Sequence, residues 1–333
     1  MKAIFLCERK TDIFTVYSES AINEINQLTG IEKRLYDKAA VISSPESFSD
    51  VEYIFSTWGM PEFTEEEIKT CFPSLKCLFY GAGSIQWFAH SFIKRGVRIF
   101  SGWAANAIPV AEMTVAQIIL SNKGYFVSSR LFHEKGRRIA HDTFKKCKGN
   151  YGEVVGIIGA GMIGSTVARM LKAYNLKVLI FDKFMSDEKI KELGAEKCDL
   201  QTLFRNAFVI TNHLANNKET EGIINYELFS QMRENAVFIN TGRGAQVVEE
   251  DLVRVLRERE DLTALLDVTF PEPPIENHPF YTLKNCRLTP HIAGSSGSEI
   301  ERLGDYMLAE FKAYLSGGET KYEVTKEMLA TMA

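Results

Sequence analysis

Three side chains sit just beyond apolar runs and carry the groups that carboxylate and proton chemistry needs. Arg243 follows the run Ala236–Asn240 within Thr241-Gly242-Arg243-Gly244, Glu272 follows Thr263–Val268, and His291 follows Arg287–Thr289 and Pro290. Reducing a 2-keto acid takes a hydride donor, a proton donor for the developing alkoxide and a cation for the carboxylate. A guanidinium grips a carboxylate and a carbonyl oxygen with its planar fork and polarises the carbonyl as charge develops. An imidazole protonates that oxygen in reduction and removes the proton in oxidation. A carboxylate beside it fixes the tautomer and stabilises the charged ring. Each residue has a plainer reading: Arg243 as a cap on neighbouring carbonyls, Glu272 as a solvated acid in PEPPIENHP, His291 as a satisfied loop histidine. Their convergence on one sheet edge favours the chemical reading. Asp267, inside the second run, is better placed than Glu272 to accept from a nicotinamide amide.

The hydride donor is signalled separately. In EVVGIIGAGMIGSTVARMLKAYNLKVLIFDK, Gly159, Gly161 and Gly164 stand between a strand pattern and a helical one, and Asp182 closes the next strand. Gly159 permits the tight turn, Gly161 lets a pyrophosphate approach the helix N-terminus, and Gly164 lets helix and sheet pack closely. Asp182 lies 182 − 159 = 23 residues beyond the first glycine, near the offset of roughly 20 at which a carboxylate accepts from the adenosine ribose. It repels a 2′-phosphate, so NAD is expected over NADP, with Lys183 working slightly against that preference. A bare GxGxxG is also a tight turn without a ligand. Here strand, helix and acid are all in place.

These residues need parallel strands to present them. Lys2–Cys7, Val51–Trp58, Lys76–Tyr80 and Val97–Phe100 read as strands alternating with helical patterns, which implies an α/β first domain. Thr64 and Glu67 form a capping-box pattern, and Lys94-Arg95-Gly96 closes a helix. Pro109 is read at the first turn of a helix whose broad apolar face suits a linker, with the domain boundary just before it. A polar, glycine-containing stretch runs up to Tyr151. A second set of alternating units follows from Val154 to about Thr289, and a last amphipathic helix, 298–315, ends at Gly317-Gly318 and is expected to return to the first domain.

With 333 residues, 45% of them hydrophobic and 25% charged, the chain has room for two cores. A net charge of -4 argues against a broad electrostatic footprint for nucleic acid or acidic membranes. The basic runs 135–138 and 145–148 read as solvated turns. Six scattered cysteines without CxxC or metal-ligand spacing read as reduced, mostly buried thiols, so no metal is expected. MKAIFLCERK reads as a first strand and not as a signal peptide. No segment approaches the roughly 18 uncharged apolar residues of a membrane helix, so no membrane contact and a cytoplasmic location are expected.

The order and spacing of GAGMIG with Asp182, FINTGRGAQVVEEDLVRVL, DVTFPEP and LTPHIAG resemble the D-isomer-specific 2-hydroxyacid dehydrogenases, a family that includes phosphoglycerate, lactate and glycerate dehydrogenases. The resemblance covers nearly the whole chain. It implies two doubly wound parallel-sheet domains: a flavodoxin-like substrate domain of residues 1–105 plus 298–333 and an inserted NAD-binding Rossmann domain of residues 106–297. It also implies Arg243, Glu272 and His291 as the catalytic trio, NAD contacts from Met162, Ile163, Asp182, Thr241, Gly242, Arg243 and Asp267, and a homodimer built around the NAD domains. The departures are on the substrate side. Gly81-Ala82-Gly83-Ser84-Ile85-Gln86-Trp87-Phe88 replaces the family's GxGxDxID loop and lacks its two acids, and Ser101 and Trp103 stand where Asn and Pro are usual. Backbone amides near Ala82, Gly83 and Ser84 could still hold a substrate carboxylate, with Ser101 and Trp103 beside them. Trp58, Trp87 and Trp103 fall at strand ends or in that loop, where an aromatic pocket and ordinary core packing are both open readings. The alternatives are a non-catalytic NAD(H)-binding regulator or scaffold on the same fold, and a related formate or amino-acid dehydrogenase. Formate chemistry would want a Gln partner for the histidine, where this chain offers Glu272.

Overall fold

The computed structural model describes residues 1–9 and 13–329. They form two α/β units, Met1–Asn106 with Ser295–Ala333 and Ala107–Gly294. The strands of the first unit are β1 (Lys2–Leu6), β2 (Leu35–Tyr36), β3 (Val51–Ser56), β4 (Cys77–Tyr80) and β5 (Arg98–Ser101). All are parallel and ordered β2-β1-β3-β4-β5, a flavodoxin-like winding. The second unit carries β6 (Tyr151–Ile158), β7 (Asn175–Phe181), β8 (Glu196–Lys197), β9 (Val209–Asn212), β10 (Val237–Asn240), β11 (Thr263–Leu266) and β12 (Cys286–Leu288). Its parallel order is β12-β11-β10-β9-β6-β7-β8, so the winding reverses between β6 and β9. Such a switch point opens a crevice beyond the carboxyl ends of the strands, where ligands of doubly wound sheets bind.

Helices cover both faces of each sheet, which is why the strands are near-continuous apolar runs and not alternating ones. In the first unit Phe55, Phe79 and Phe311 pack with ring centroids 5.2–5.3 Å apart. Phe311 comes from the helix Glu301–Leu315, which buries Leu303, Met307 and Leu308 on the same sheet, as its amphipathic pattern requires. The capping box at Thr64 and Glu67 is formed. Beyond the helix Glu301–Leu315 the chain lies antiparallel along the outer edge of β5: Ser101 N–H donates to Tyr322 O and Val324 N–H to Ile99 O. The buried Glu310 carboxylate accepts from the Lys321 and Tyr322 amides and holds that segment in place.

Several local expectations need correction. The linker helix spans Trp103–Asn122, so Pro109 lies inside it and not at its first turn. The preference of proline for a first turn is a tendency that packing overrides here: Ala105 joins the core of the first unit, and Ala111, Val115 and Ile118 that of the second. This helix is also long and apolar enough, by length and composition, to cross a membrane. Its one charge, Glu112, broke the uncharged run sought in the sequence, yet 56% of its apolar window is buried within the structure, as in a core helix. The polar stretch before Tyr151 is largely helical, Tyr125–Phe144, with a kink at Gly136 (φ 79°), so the basic run 135–138 spans the kink between two helical pieces. All six cysteines are free thiols, four of them buried.

Candidate active site

The glycine-rich turn leaves β6 at Ile158. Gly159 takes φ 88°, and a Cβ there would lie 2.9 Å from the His213 carbonyl carbon and oxygen, so both conformation and space require glycine. A Cβ on Gly164 would fall 1.9 Å from the Gly159 carbonyl oxygen, the close helix–strand approach that its position in the sequence suggests. A Cβ on Gly161 would meet nothing within 4 Å, and Gly161 caps the ten-residue helix Met162–Leu171 without a side-chain hydrogen bond. The first-turn amides of that helix therefore face open space, the setting in which a helix N-terminus receives a pyrophosphate. Met162 is exposed at this turn and Ile163 packs beneath it.

Asp182, just past β7, does more than the sequence suggests. Its Oδ2 accepts from Ala160 N–H at 2.7 Å, and its Oδ1 accepts from Phe184 and Met185 N–H at 2.8 and 2.7 Å. It thus ties the glycine-rich turn to the next loop. A carboxylate has about four acceptor positions, which leaves room for a ribose hydroxyl. Lys183 points its charge at Glu219, 2.8 Å away.

Arg243, Glu272 and His291 all lie in the second unit, beyond the ends of β10, β11 and β12. His291 Nδ1 is 2.5 Å from Glu272 Oε1. A carboxylate only accepts, so Nδ1 carries the proton and Nε2 is left to exchange one with a substrate. His291 has φ 54°, a left-handed conformation held by hydrogen bonds from its N–H to Asp267 O and Thr289 O. The Asp267 carboxylate, 3% exposed, accepts from Thr289 Oγ1 (2.6 Å), Ile292 N–H and Ala293 N–H (2.9 Å each), gripping the His291 loop on both sides. Arg243 is half-buried and donates from Nη1 to Gly242 O. Burial lowers its pKa, while the neighbouring Glu272 charge works in the opposite sense. Thr241, also buried, shares a 3.1 Å hydroxyl contact with Thr114.

The residues that hold Arg243 were not singled out in the sequence. Asn212 at the end of β9, Asn240 at the end of β10 and Gln246 form a buried amide network. Asn212 Nδ2 donates to Asn240 Oδ1 and Gln246 Oε1 at 3.1 and 3.0 Å. Asn240 Nδ2 donates to Arg243 O, Gly242 N–H to Asn240 Oδ1, and Arg243 N–H to Gln246 Oε1. A signal existed: two apolar strands both end in asparagine. His213, next along, is buried with Nε2 3.0 Å from Thr211 Oγ1, and burial drives its pKa down to about 3.

On the first unit, Ser101 is fully buried and donates to the carbonyls of Ala82 and Gly83 at 2.8 Å each, supporting the loop from within. Trp87 is 44% exposed, with Nε1 donating to Met60 O and its ring edge-on to Tyr80 and Phe88. Trp58 is partly buried against the core, and Trp103 packs edge-on to Tyr322.

Residues 123–293 match the model of the D-isomer specific 2-hydroxyacid dehydrogenase, NAD binding domain. The chain is 34% identical over 207 residues, 61% of its length, to a putative 2-hydroxyacid dehydrogenase of Bacillus subtilis. It is 30% identical over 233 residues, 67% of its length, to a formate dehydrogenase of Neurospora crassa. These matches span 59% and 61% of the relatives' own lengths, less than two thirds of each. The fold matches the apo D-mandelate dehydrogenase of Rhodotorula graminis with a TM-score of 0.81 at 20% identity, over 98% of both chains. The uncapped helix start and the open face at Gly161 fit NAD as the group this domain holds.

Proposed function

This chain belongs to the D-isomer-specific 2-hydroxyacid dehydrogenase family, and from that premise we propose that it is an NAD-dependent oxidoreductase interconverting a D-2-hydroxy acid and its 2-keto acid. The observation that carries the reading is the 2.5 Å His291–Glu272 pair with Arg243 beside it, on the same sheet edge as the glycine-rich turn. Bound NADH supplies the hydride that reduces the keto carbon. His291 Nε2 delivers the proton to the carbonyl oxygen, and Glu272 stabilises the imidazolium beforehand and holds the ring in its Nδ1–H form. Arg243 binds the carboxylate and the carbonyl oxygen, its half-buried charge being worth more there than in water. The first unit offers the loop Ala82–Ser84 for a substrate carboxylate through the amides of Gly83 and Ser84, since Ala82 is buried with its N–H donating to Tyr80 O; Ser101 acts through the loop carbonyls and Trp103 packs alongside. Gly159, Gly161, Met162, Ile163, Gly164 and Asp182 hold the cofactor, with Thr241, Gly242, Arg243 and Asp267 on the nicotinamide side. For Asp267 that role would fall to whatever acceptor position its three internal hydrogen bonds leave.

Glu272 as the histidine's partner sets the site apart from the Gln partner that formate chemistry would want. The test is NADH oxidation by purified protein with a panel of 2-keto acids. Turnover of at least one is expected, with NADH preferred to NADPH. Tight NADH binding with no keto acid turned over would favour the regulator or scaffold reading instead. A cytoplasmic homodimer is part of the same proposal and is checked by the mass of the protein in solution.

A further inference from the structure

One buried acid lies close to the catalytic pair and plays no part in the mechanism above. Glu249, the first residue of the helix Glu249–Glu258, has a side chain only 12% exposed, and its Oε1 accepts from Phe270 N–H at 2.8 Å. Phe270 is two residues before Glu272. Its amide nitrogen is also where the Arg243 loop abuts this segment: a Cβ on Gly244 would lie 2.5 Å from Phe270 N and 2.0 Å from the Thr269 carbonyl carbon. Thr269 Oγ1 bridges onward to Pro271 O at 2.9 Å. The other Glu249 oxygen lies 3.7 Å from His278 Nε2, beyond direct hydrogen-bond length. His278 Nδ1 accepts from Phe280 N–H, so its ring proton is on Nε2, facing Glu249.

We propose that Glu249 is a positioning residue for the Glu272–His291 pair, holding the segment from Thr269 to Glu272 through the Phe270 amide, with the His278 ring on its other side. The proposal rests on His291 being the acid–base group. The titratable groups facing Glu249 among the described residues are His278 and the Cys286 thiol. Burial pushes the Glu249 carboxyl up to about 7 and lowers His278, so both shift toward their neutral forms. A hydrogen bond to an ionised acceptor is shorter and stronger than one to a neutral acceptor. The grip on Phe270 therefore tightens as pH rises through about 7.

The test is a pH titration of ring 15N shifts in the full chain labelled at histidine, which report which nitrogen carries the proton, without substrate or turnover. Glu272→Ala supplies the reference for a His291 ring released from its carboxylate. Glu249→Ala is expected to move neutral His291 toward that reference and to lower kcat by about tenfold to hundredfold, the range that ångström-scale misplacement produces. Glu249→Gln keeps an acceptor for Phe270 N–H, so it should retain the wild-type ring form while losing the inflection near pH 7 that Glu249 ionisation adds to the ring's own titration. Wild-type His291 shifts in Glu249→Ala overturn the proposal. If that variant does not fold, persistence of the inflection in Glu249→Gln overturns it equally. A chain that reduced no keto acid would defeat the functional proposal and leave these shifts to be read.

Discussion

In the proposed mechanism the imidazole of His291 gains and loses a proton at Nε2 while its Nδ1 stays anchored 2.5 Å from Glu272. His291→Ala removes the proton donor and nothing that touches the glycine-rich turn. Turnover should fall on the order of 10²- to 10⁴-fold, with NADH affinity measured by fluorescence titration nearly unchanged; equal loss of both would count against His291 as the acid. Glu272→Gln removes the charge that stabilises the imidazolium, so the reduction needs a lower pH to keep the ring charged, and its optimum should move to lower pH. Asn212 tests the support of Arg243. Asn212→Leu strips a donor from Asn240 Oδ1 and Gln246 Oε1, both buried. We expect a loss of about 1–3 kcal/mol in stability and a higher KM for the keto acid, read from urea unfolding and from initial rates.

The elements that deliver these residues were legible to different degrees. β3, β4 and β10 were readable within one or two residues because strands buried on both faces are unbroken apolar runs. The last helix was readable from its stripe of Leu303, Met307 and Phe311. β2 was not, because two residues carry no periodicity. The helix Tyr125–Phe144 was hidden by Gly124, Gly136 and a basic run that locally spell a turn, and Gly136 does leave helical geometry before the helix resumes. Arg243, Glu272 and His291 could be singled out because each follows a strand, whereas the amide network and Glu249 could not. Their importance comes from partners 28, 34 and 21 residues away in sequence. The end of β9 also carries a pH dependence. His213 has its folded pKa depressed from 6.5 to about 3, so its stabilising contribution is complete above pH 6.5 and is lost as pH falls toward 3. Between pH 7 and 5 the wild-type chain should lose about 2 kcal/mol that His213→Gln does not lose, a difference visible in urea midpoints; parallel losses in the two proteins would refute this assignment.

At the scale of the molecule, the second unit is one continuous stretch, Ala107–Gly294. The hydrogen bonds that fix Asp182, Arg243, Glu272 and His291 are all internal to it. A fragment of residues 107–294 is expected to bind NADH with nearly the affinity of the full chain and to show no turnover, since the loop Ala82–Ser84 is missing; calorimetry and a rate assay decide. The first unit is built in the opposite way. Its sheet is complete by Ser101, but the helix that covers one face and the strand-like segment on the β5 edge come from beyond Ser295. On the ribosome, the 188 residues between these pieces take about 10–40 s to synthesise. During that interval Phe55, Phe79 and Phe100 have no Phe311 or Leu303 to lie against. The unit begun before the other must therefore be finished after it, with its aromatic face open to chaperones until the helix Glu301–Leu315 has been made.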